Sequence, residues 1–248
     1  MIMAINFLRT YSSEIKDHLD YLVTWPINTD VQLGDIGILE DGVFKRMATL
    51  KALGITQPGE REGRGTSTLE YGSRNGVEWT LNPGASTAVQ AIDAKVEIKF
   101  TQEGAVFLRI GDYTLKQFET TDELGQEILT RYKNDSWQRN RVVVTEVVSA
   151  AAATVLVSGS NGALASFSLD ASLPAAEALS KGKFSGLLGL SGSFAAQVIG
   201  EHVSPLFRTC GLRRRFLRST IFRGETSNGD PGDLMFGRVD SSEQLKEE

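Results

Sequence analysis

The longest regular hydrophobic pattern in the chain has a period of two. From Gln90 to Phe100, Ile92, Ala94, Val96, Ile98 and Phe100 alternate with Asp93, Lys95, Glu97 and Lys99. Successive strand residues point to opposite faces, so this run predicts a strand with one apolar and one charged side. Gln102-Glu103-Gly104 predicts a turn after it, with Ala105 to Ile110 returning as the partner strand. Arg74-Asn75-Gly76, between strand-like runs at Thr68–Gly72 and Val77–Leu81, carries the Asn-Gly signal of a tight hairpin.

Helical spacing shows at two places. Ile5, Leu8, Ile15, Leu19 and Leu22 share one face near the N-terminus, with Arg9, Glu14, Lys16, Asp17 and Asp20 mostly opposite. Trp25-Pro26 is expected to end this helix, because a residue before proline avoids helical dihedrals. Thr121 predicts a second helix: threonine at the cap, Asp122 and Glu123 in the first turn, and Leu124, Ile128 and Tyr132 on one face as far as Asn134.

The remaining signals are mostly those of strands. Val31–Leu39 and Val43–Met47 flank a Glu40-Asp41-Gly42 turn, and Thr49–Leu53 reads as one helical turn stopped by Gly54. Arg141–Ser149 is strongly strand-forming, with Ala153–Ser158 and Ala163–Leu169 as neighbours across Gly159-Ser160-Asn161-Gly162. Pro174–Leu179 suggests a short helix, and Phe184–Ile199 a bent or bulged strand pair. The expected fold is α+β: a single domain over 1–223 with a twisted, mostly antiparallel sheet, an amphipathic N-terminal helix and a few short helices. Residues 224–248 are expected to be a flexible tail, poor in apolar residues apart from Leu234-Met235-Phe236.

Composition narrows the function classes. With 41% hydrophobic and 23% charged residues over 248 positions, the chain can bury a core. The net charge of −5 argues against a general polyanion binder. One cysteine, Cys210, excludes an internal disulfide and is too few for a cysteine-based zinc site, which fits a reducing, cytoplasmic setting. The start of the chain lacks the pattern of a signal peptide. No apolar run reaches the length of a membrane-spanning helix, although spanning β-hairpins carry a much weaker signal.

Catalytic chemistry is not legible. His18 and His202 are the only histidines, and no H-E-x-x-H, G-x-S-x-G or phosphate-binding glycine loop occurs. The expectation is a protein that is not an enzyme and takes no cofactor or metal. One cluster stands out: Arg208, Arg213, Arg214, Arg215, Arg218 and Arg223, interleaved with Phe207, Leu212, Phe216, Leu217, Ile221 and Phe222. It suits anionic lipid headgroups or nucleic acid, and equally a solvated face.

Val142-Val143-Val144-Thr145-Glu146-Val147-Val148 resembles a strand of the gasdermin N-terminal pore-forming domain, and the order of elements around it resembles that domain over roughly 200 residues. The resemblance implies two hairpin regions, Gly76–Ile110 and Val155–Val198, that lengthen into membrane-spanning strands. Under it, Ile92, Val96, Ile98 and Phe100 would contact lipid, Lys95 and Lys99 would line a pore, and Arg213, Arg214 and Arg215 would meet acidic headgroups. It further implies a cytoplasmic effector of cell death that moves to anionic membranes and oligomerises after activation, by a protease or by displacement of the tail. The chain departs from the family in lacking the N-terminal cysteine that bacterial gasdermins lipidate and the large repressor domain of animal gasdermins. The alternative is a non-catalytic interaction or scaffold protein whose basic C-terminal segment binds a protein partner or nucleic acid, with nucleic acid the less favoured.

Overall fold

The computed structural model describes residues 2–40, 42–63, 67–82, 95–169, 184–214 and 234–239. In chain order the elements are α1 (Ile2–Leu19), β1 (Leu22–Val23), β2 (Asp35–Glu40), β3 (Val43–Thr49), a 3-10 turn (Lys51–Leu53), β4 (Glu60–Glu62), β5 (Ser67–Gly72), β6 (Val77–Asn82), β7 (Lys95–Phe100), β8 (Val106–Phe118), α2 (Asp122–Lys133), β9 (Val142–Ser158), β10 (Leu164–Leu169), β11 (Phe184–Ser191), β12 (Phe194–Arg214) and β13 (Leu234–Arg238). The protein is mostly antiparallel sheet with two α-helices among the described residues. The helix expected at Pro174–Leu179 lies outside the described residues.

The chain divides into two compact units. The first comprises Met1–Asp30, Gly63–Leu115 and Val148–Leu206, and the second Val31–Glu62, Lys116–Val147 and Phe207–Glu248. The long strands β8, β9 and β12 have residues in both.

The first unit is built in three layers. Tyr11 and Ile15 of α1 are fully buried against Val106, Leu108 and Ile110 of β8 and Val148, Val155 and Val157 of β9. Phe7 and Tyr11 set their rings edge-on to Trp25, with centroids 5.2 and 6.4 Å away. On the other side of the same strands, Phe107 and Leu156 pack against Val96, Ile98, Phe100, Ala165 and Phe167. The middle layer is therefore covered on both faces. That is why Ala105-Val106-Phe107-Leu108 shows no polar alternation.

α1 stops at Leu19, short of the expected boundary at Trp25-Pro26. Asp20 adopts φ +59°, a left-handed conformation in which asparagine and aspartate are over-represented. Leu22 then belongs to β1, and Thr24 donates its backbone N–H to Pro205 O at 3.0 Å and its hydroxyl to Ser204 O.

The third layer is a four-stranded sheet in the order β11-β10-β7-β6. It consists of two hairpin pairs, β6–β7 and β10–β11, joined by an antiparallel β7–β10 ladder. This corrects four expectations, the first being that Ala153–Ser158 and Ala163–Leu169 neighbour Arg141–Ser149: Ala153–Ser158 belongs to the same strand, β9, and Leu164–Leu169 is β10 in the other sheet. β8 is not the partner of β7, because β7 pairs with β6 and β10 while β8 pairs with β4, β5 and β9. The Asn75-Gly76 turn does not close a β5–β6 hairpin, because β5 pairs with β8 in the large sheet. Phe184–Ile199 divides between β11 and β12, which lie in different sheets.

Each of these turns is a corner between sheets. Asn75, Gly104, Gly162 and Gly192 hold φ of +58°, +76°, +80° and +85° at the four corners, the left-handed values that turn a chain sharply. Hydrogen bonds link one corner to the next. Thr101 N–H donates to Gly76 O at 3.0 Å, Gly104 N–H to Ser158 O at 2.9 Å, and Gly159 N–H to Ser193 O at 2.8 Å. The Ser158 hydroxyl donates to Gln102 O at 2.5 Å.

In the second unit, β2 and β3 form the hairpin expected around Glu40 and Gly42. The Thr49 hydroxyl accepts the Ala52 N–H at 3.1 Å, and Gly54 ends the 3-10 turn at φ +64°, as the sequence predicts. Leu124 and Ile128 of α2 are buried with Ile36, Leu50, Phe118, Trp137, Val143 and Leu212. The predicted cap Thr121 makes no side-chain capping bond, and Asp122 N–H donates to Thr120 Oγ1 at 3.3 Å.

The segment expected as a flexible tail contains β13, antiparallel to β12 in register Cys210↔Arg238 through Arg214↔Leu234. Two contacts hold it: Phe236 packs on Gly125 of α2, and Thr209 Oγ1 donates to Val239 O at 2.7 Å. Three consecutive apolar residues were enough to make a short strand once β12 offered an edge.

Candidate functional site

The four-stranded sheet carries most of the residues singled out in the sequence. Antiparallel partners share a face. Trp79 lies opposite Ile98, and Ile98 opposite Ala165, which in turn faces Leu190. Val96, Ile98 and Phe100 are 2%, 0% and 0% exposed, so the two central strands present a fully covered apolar face. Lys95 and Lys99 are exposed on the opposite face, with Glu97 half-buried between them. That face continues through Glu78 and Thr80 on β6 and Ser166 and Ser168 on β10. Lys99 Nζ lies 3.9 Å from the Glu78 carboxylate. Ile92 lies outside the described residues.

The edges of this sheet were not foreseen. Trp79 on β6 is 47% exposed and Leu190 on β11 is 43% exposed, two of the three exposed large hydrophobics among the described residues. Both belong by register to the apolar face. Among the described residues, neither β6 nor β11 has a hydrogen-bonded neighbour on its outer side. The signal was present in Val77-Glu78-Trp79-Thr80-Leu81-Asn82, which alternates like Gln90–Phe100 but over a shorter run.

Of the basic cluster, Arg208, Arg213 and Arg214 lie on β12, and Arg215, Arg218 and Arg223 lie outside the described residues. Arg213 is half-buried, in register with Met235. Arg208 donates to Glu146 Oε1 at 2.9 Å. Thr145, Glu146, Arg208, Cys210 and Arg238 line a cavity of about 250 Å³ in the second unit. Burial pushes the Cys210 thiol up, against smaller opposing effects of the Thr145 hydroxyl, Arg238 and Arg213. A raised thiol carries little thiolate at neutral pH, which disfavours a nucleophilic role.

His18 and Tyr71 belong to a polar tie within the first unit. The Tyr71 hydroxyl donates to Glu14, and His18 Nδ1 lies 3.0 Å from Glu14 O. Burial, reinforced by the Glu14 carboxylate, pushes the Tyr71 phenol up, and burial alone does the same for Tyr11. A pKa raised on folding contributes stability that is complete below the unfolded value and is lost as pH rises through the folded one. The phenolate absorbance is therefore expected to show Tyr11 and Tyr71 still protonated above the ordinary tyrosine range near pH ~10, ionising only with alkaline unfolding. Simple titration of all five tyrosines near pH ~10 with the fold intact would contradict this.

Among the described residues no helix is long and apolar enough to cross a membrane, and no three His, Cys, Asp or Glu side chains are grouped to hold a metal ion. No protein-family model and no curated protein matches the chain.

Proposed function

We propose that the chain is a gasdermin-like pore-forming effector, soluble at rest, that oligomerises on anionic membranes after activation. The observation that supports this reading most is the four-stranded sheet: two hairpins side by side, apolar on one face, polar on the other, with both edge strands free of described partners. A membrane-spanning sheet needs that two-faced pattern, and closure into a barrel needs free edges to join. The whole alternating run Gln90–Phe100 meets the roughly 9–11 residues of a tilted spanning strand. The apolar face now packed against Phe107 and Leu156 would exchange those contacts for lipid. Copies would join at their β6 and β11 edges, where Trp79 and Leu190 are already exposed. β13, docked on β12, is the element whose cleavage or displacement would act as the trigger.

The test is dye release from anionic vesicles, by the full chain and by a chain ending after Gly224. Leakage is expected from the shortened chain, with less or none from the full one. If neither releases dye while salt-sensitive nucleic-acid or protein binding is found, the interaction-protein alternative replaces the pore.

A further inference from the structure

Four strands and the start of α2 meet at the cavity of about 250 Å³ in the second unit. Gln117 comes from β8, Glu146 from β9, Arg208 from β12 and Arg238 from β13, with Thr121 at the entry to α2. Phe118, buried in the core of the same unit, adds an apolar patch to the wall.

The charged groups lining the cavity are two guanidinium groups and one carboxylate. Glu146 accepts from Arg208 at 2.9 Å, and its side chain is only 12% exposed. One carboxylate balances one arginine, so the lining keeps a surplus positive charge. The Cys210 thiol in the same wall feels that surplus. Burial is the strongest influence on it, but among the charges Arg238 and Arg213 each act on it more strongly than Glu146. Thr121 makes no side-chain capping bond to α2, and its hydroxyl and the Gln117 amide stand in the same lining as the arginines. α2 adds little of its own, because Asp122 and Glu123 in its first turn offset the positive helix end.

Charge and size together select the occupant. A cation would meet two arginines, and a neutral polar molecule would leave their surplus charge unanswered. A phosphate or carboxylate group matches the planar fork of a guanidinium and accepts from hydroxyl and amide donors as well. The volume equals that of roughly eight waters at ~30 Å³ each, which admits such a group on a short carbon skeleton.

We infer that this cavity binds the phosphate or carboxylate group of a small soluble metabolite, held by Arg208 and Arg238 with Thr121 and Gln117 as further donors. The site stands whether or not the chain forms pores. Arg238 belongs to β13 and Arg208 to β12, so the ligand also ties β13 to the strand it docks on.

The experiment titrates the full chain with inorganic phosphate and with malonate by calorimetry, with chloride at matched ionic strength as the control. Saturable binding of at least one anion is expected, with half-saturation at about 1 mM or below, and none of chloride. Hydrogen exchange at Leu234–Arg238 is expected to slow when that anion is bound. Arg238→Gln is expected to weaken binding about tenfold or more, with Arg238→Lys between it and the native chain. Thr121→Val, which removes a hydroxyl that makes no capping bond, is expected to weaken binding several-fold and serves in place of Arg238→Gln if circular dichroism shows that variant unfolded. Binding of neither anion, or binding that none of these changes weakens, overturns the inference. Binding only to phosphatidylglycerol vesicles, lost in Arg238→Gln, would give the cavity to a lipid headgroup and equally overturn the soluble ligand. Dye release from vesicles is measured separately, so either idea can fail alone.

Discussion

Ile98→Asp is expected to abolish the cooperative thermal transition of the protein, whereas Lys99→Asp, one residue along, keeps it. Ile98 is fully buried at the centre of β7, between Trp79 and Ala165 in register. Emptying such a site costs about 2–5 kcal/mol, and an unpaired carboxyl there adds several more. Against a typical total stability of ~5–15 kcal/mol, little folded protein would remain. Lys99 is exposed, and its contact with Glu78 is a surface pair at 3.9 Å, so its reversal costs on the order of 1 kcal/mol. Melting followed by circular dichroism separates the two. Similar melting points for both would mean that the faces of β7 have been assigned wrongly.

Glu70→Ala should be the next most damaging change at a polar position. Arg109 on β8 donates to Glu70 on β5, its register partner, and its side chain is only 7% exposed against 32% for the carboxylate. Burial pushes the Arg109 guanidinium down from its ordinary value, and Glu70 opposes that. Removing the acid leaves a buried cation, at a cost of about 3–5 kcal/mol when a pair is fully enclosed and toward the lower end here, since Glu70 touches water. Urea denaturation measures the loss. The double change Arg109→Met with Glu70→Leu should recover much of it, since no charge then has to be held away from water. A loss under ~1 kcal/mol for Glu70→Ala would place Arg109 among well-hydrated groups.

The two faces of β7 were legible because each meets a different medium, one the core and the other water. The same signal fails where a strand lies between two packed layers. β8 is covered by α1 on one side and by the four-stranded sheet on the other, so Val106, Phe107, Leu108 and Ile110 are all buried and no period survives. Turn chemistry was legible too, but only as backbone conformation. Asn75 does take positive φ, yet a local dihedral does not say which sheet the next strand will join. That choice depends on β7, β8 and β10, which are remote in sequence. Tyr11 was passed over because its hydroxyl marks it as polar, although its ring is completely buried. Of the nine residues proposed to meet lipid, lumen or headgroup, five lie together on β7. Arg213 and Arg214 sit on β12 in the second unit, where register pairs them with Met235 and Leu234, and Arg215 lies outside the described residues.

The strand count of the four-stranded sheet carries a last consequence. With antiparallel ladders throughout the order β11-β10-β7-β6, its two outermost strands run in opposite directions. A copy added at either margin in the same orientation therefore keeps the alternation of direction without a parallel seam, and so does every copy after it. In the proposed assembly, strand polarity thus allows even and odd stoichiometries alike. The number of subunits in a closed ring would be set by the angle between neighbours, and rings of several sizes from one preparation are the natural outcome.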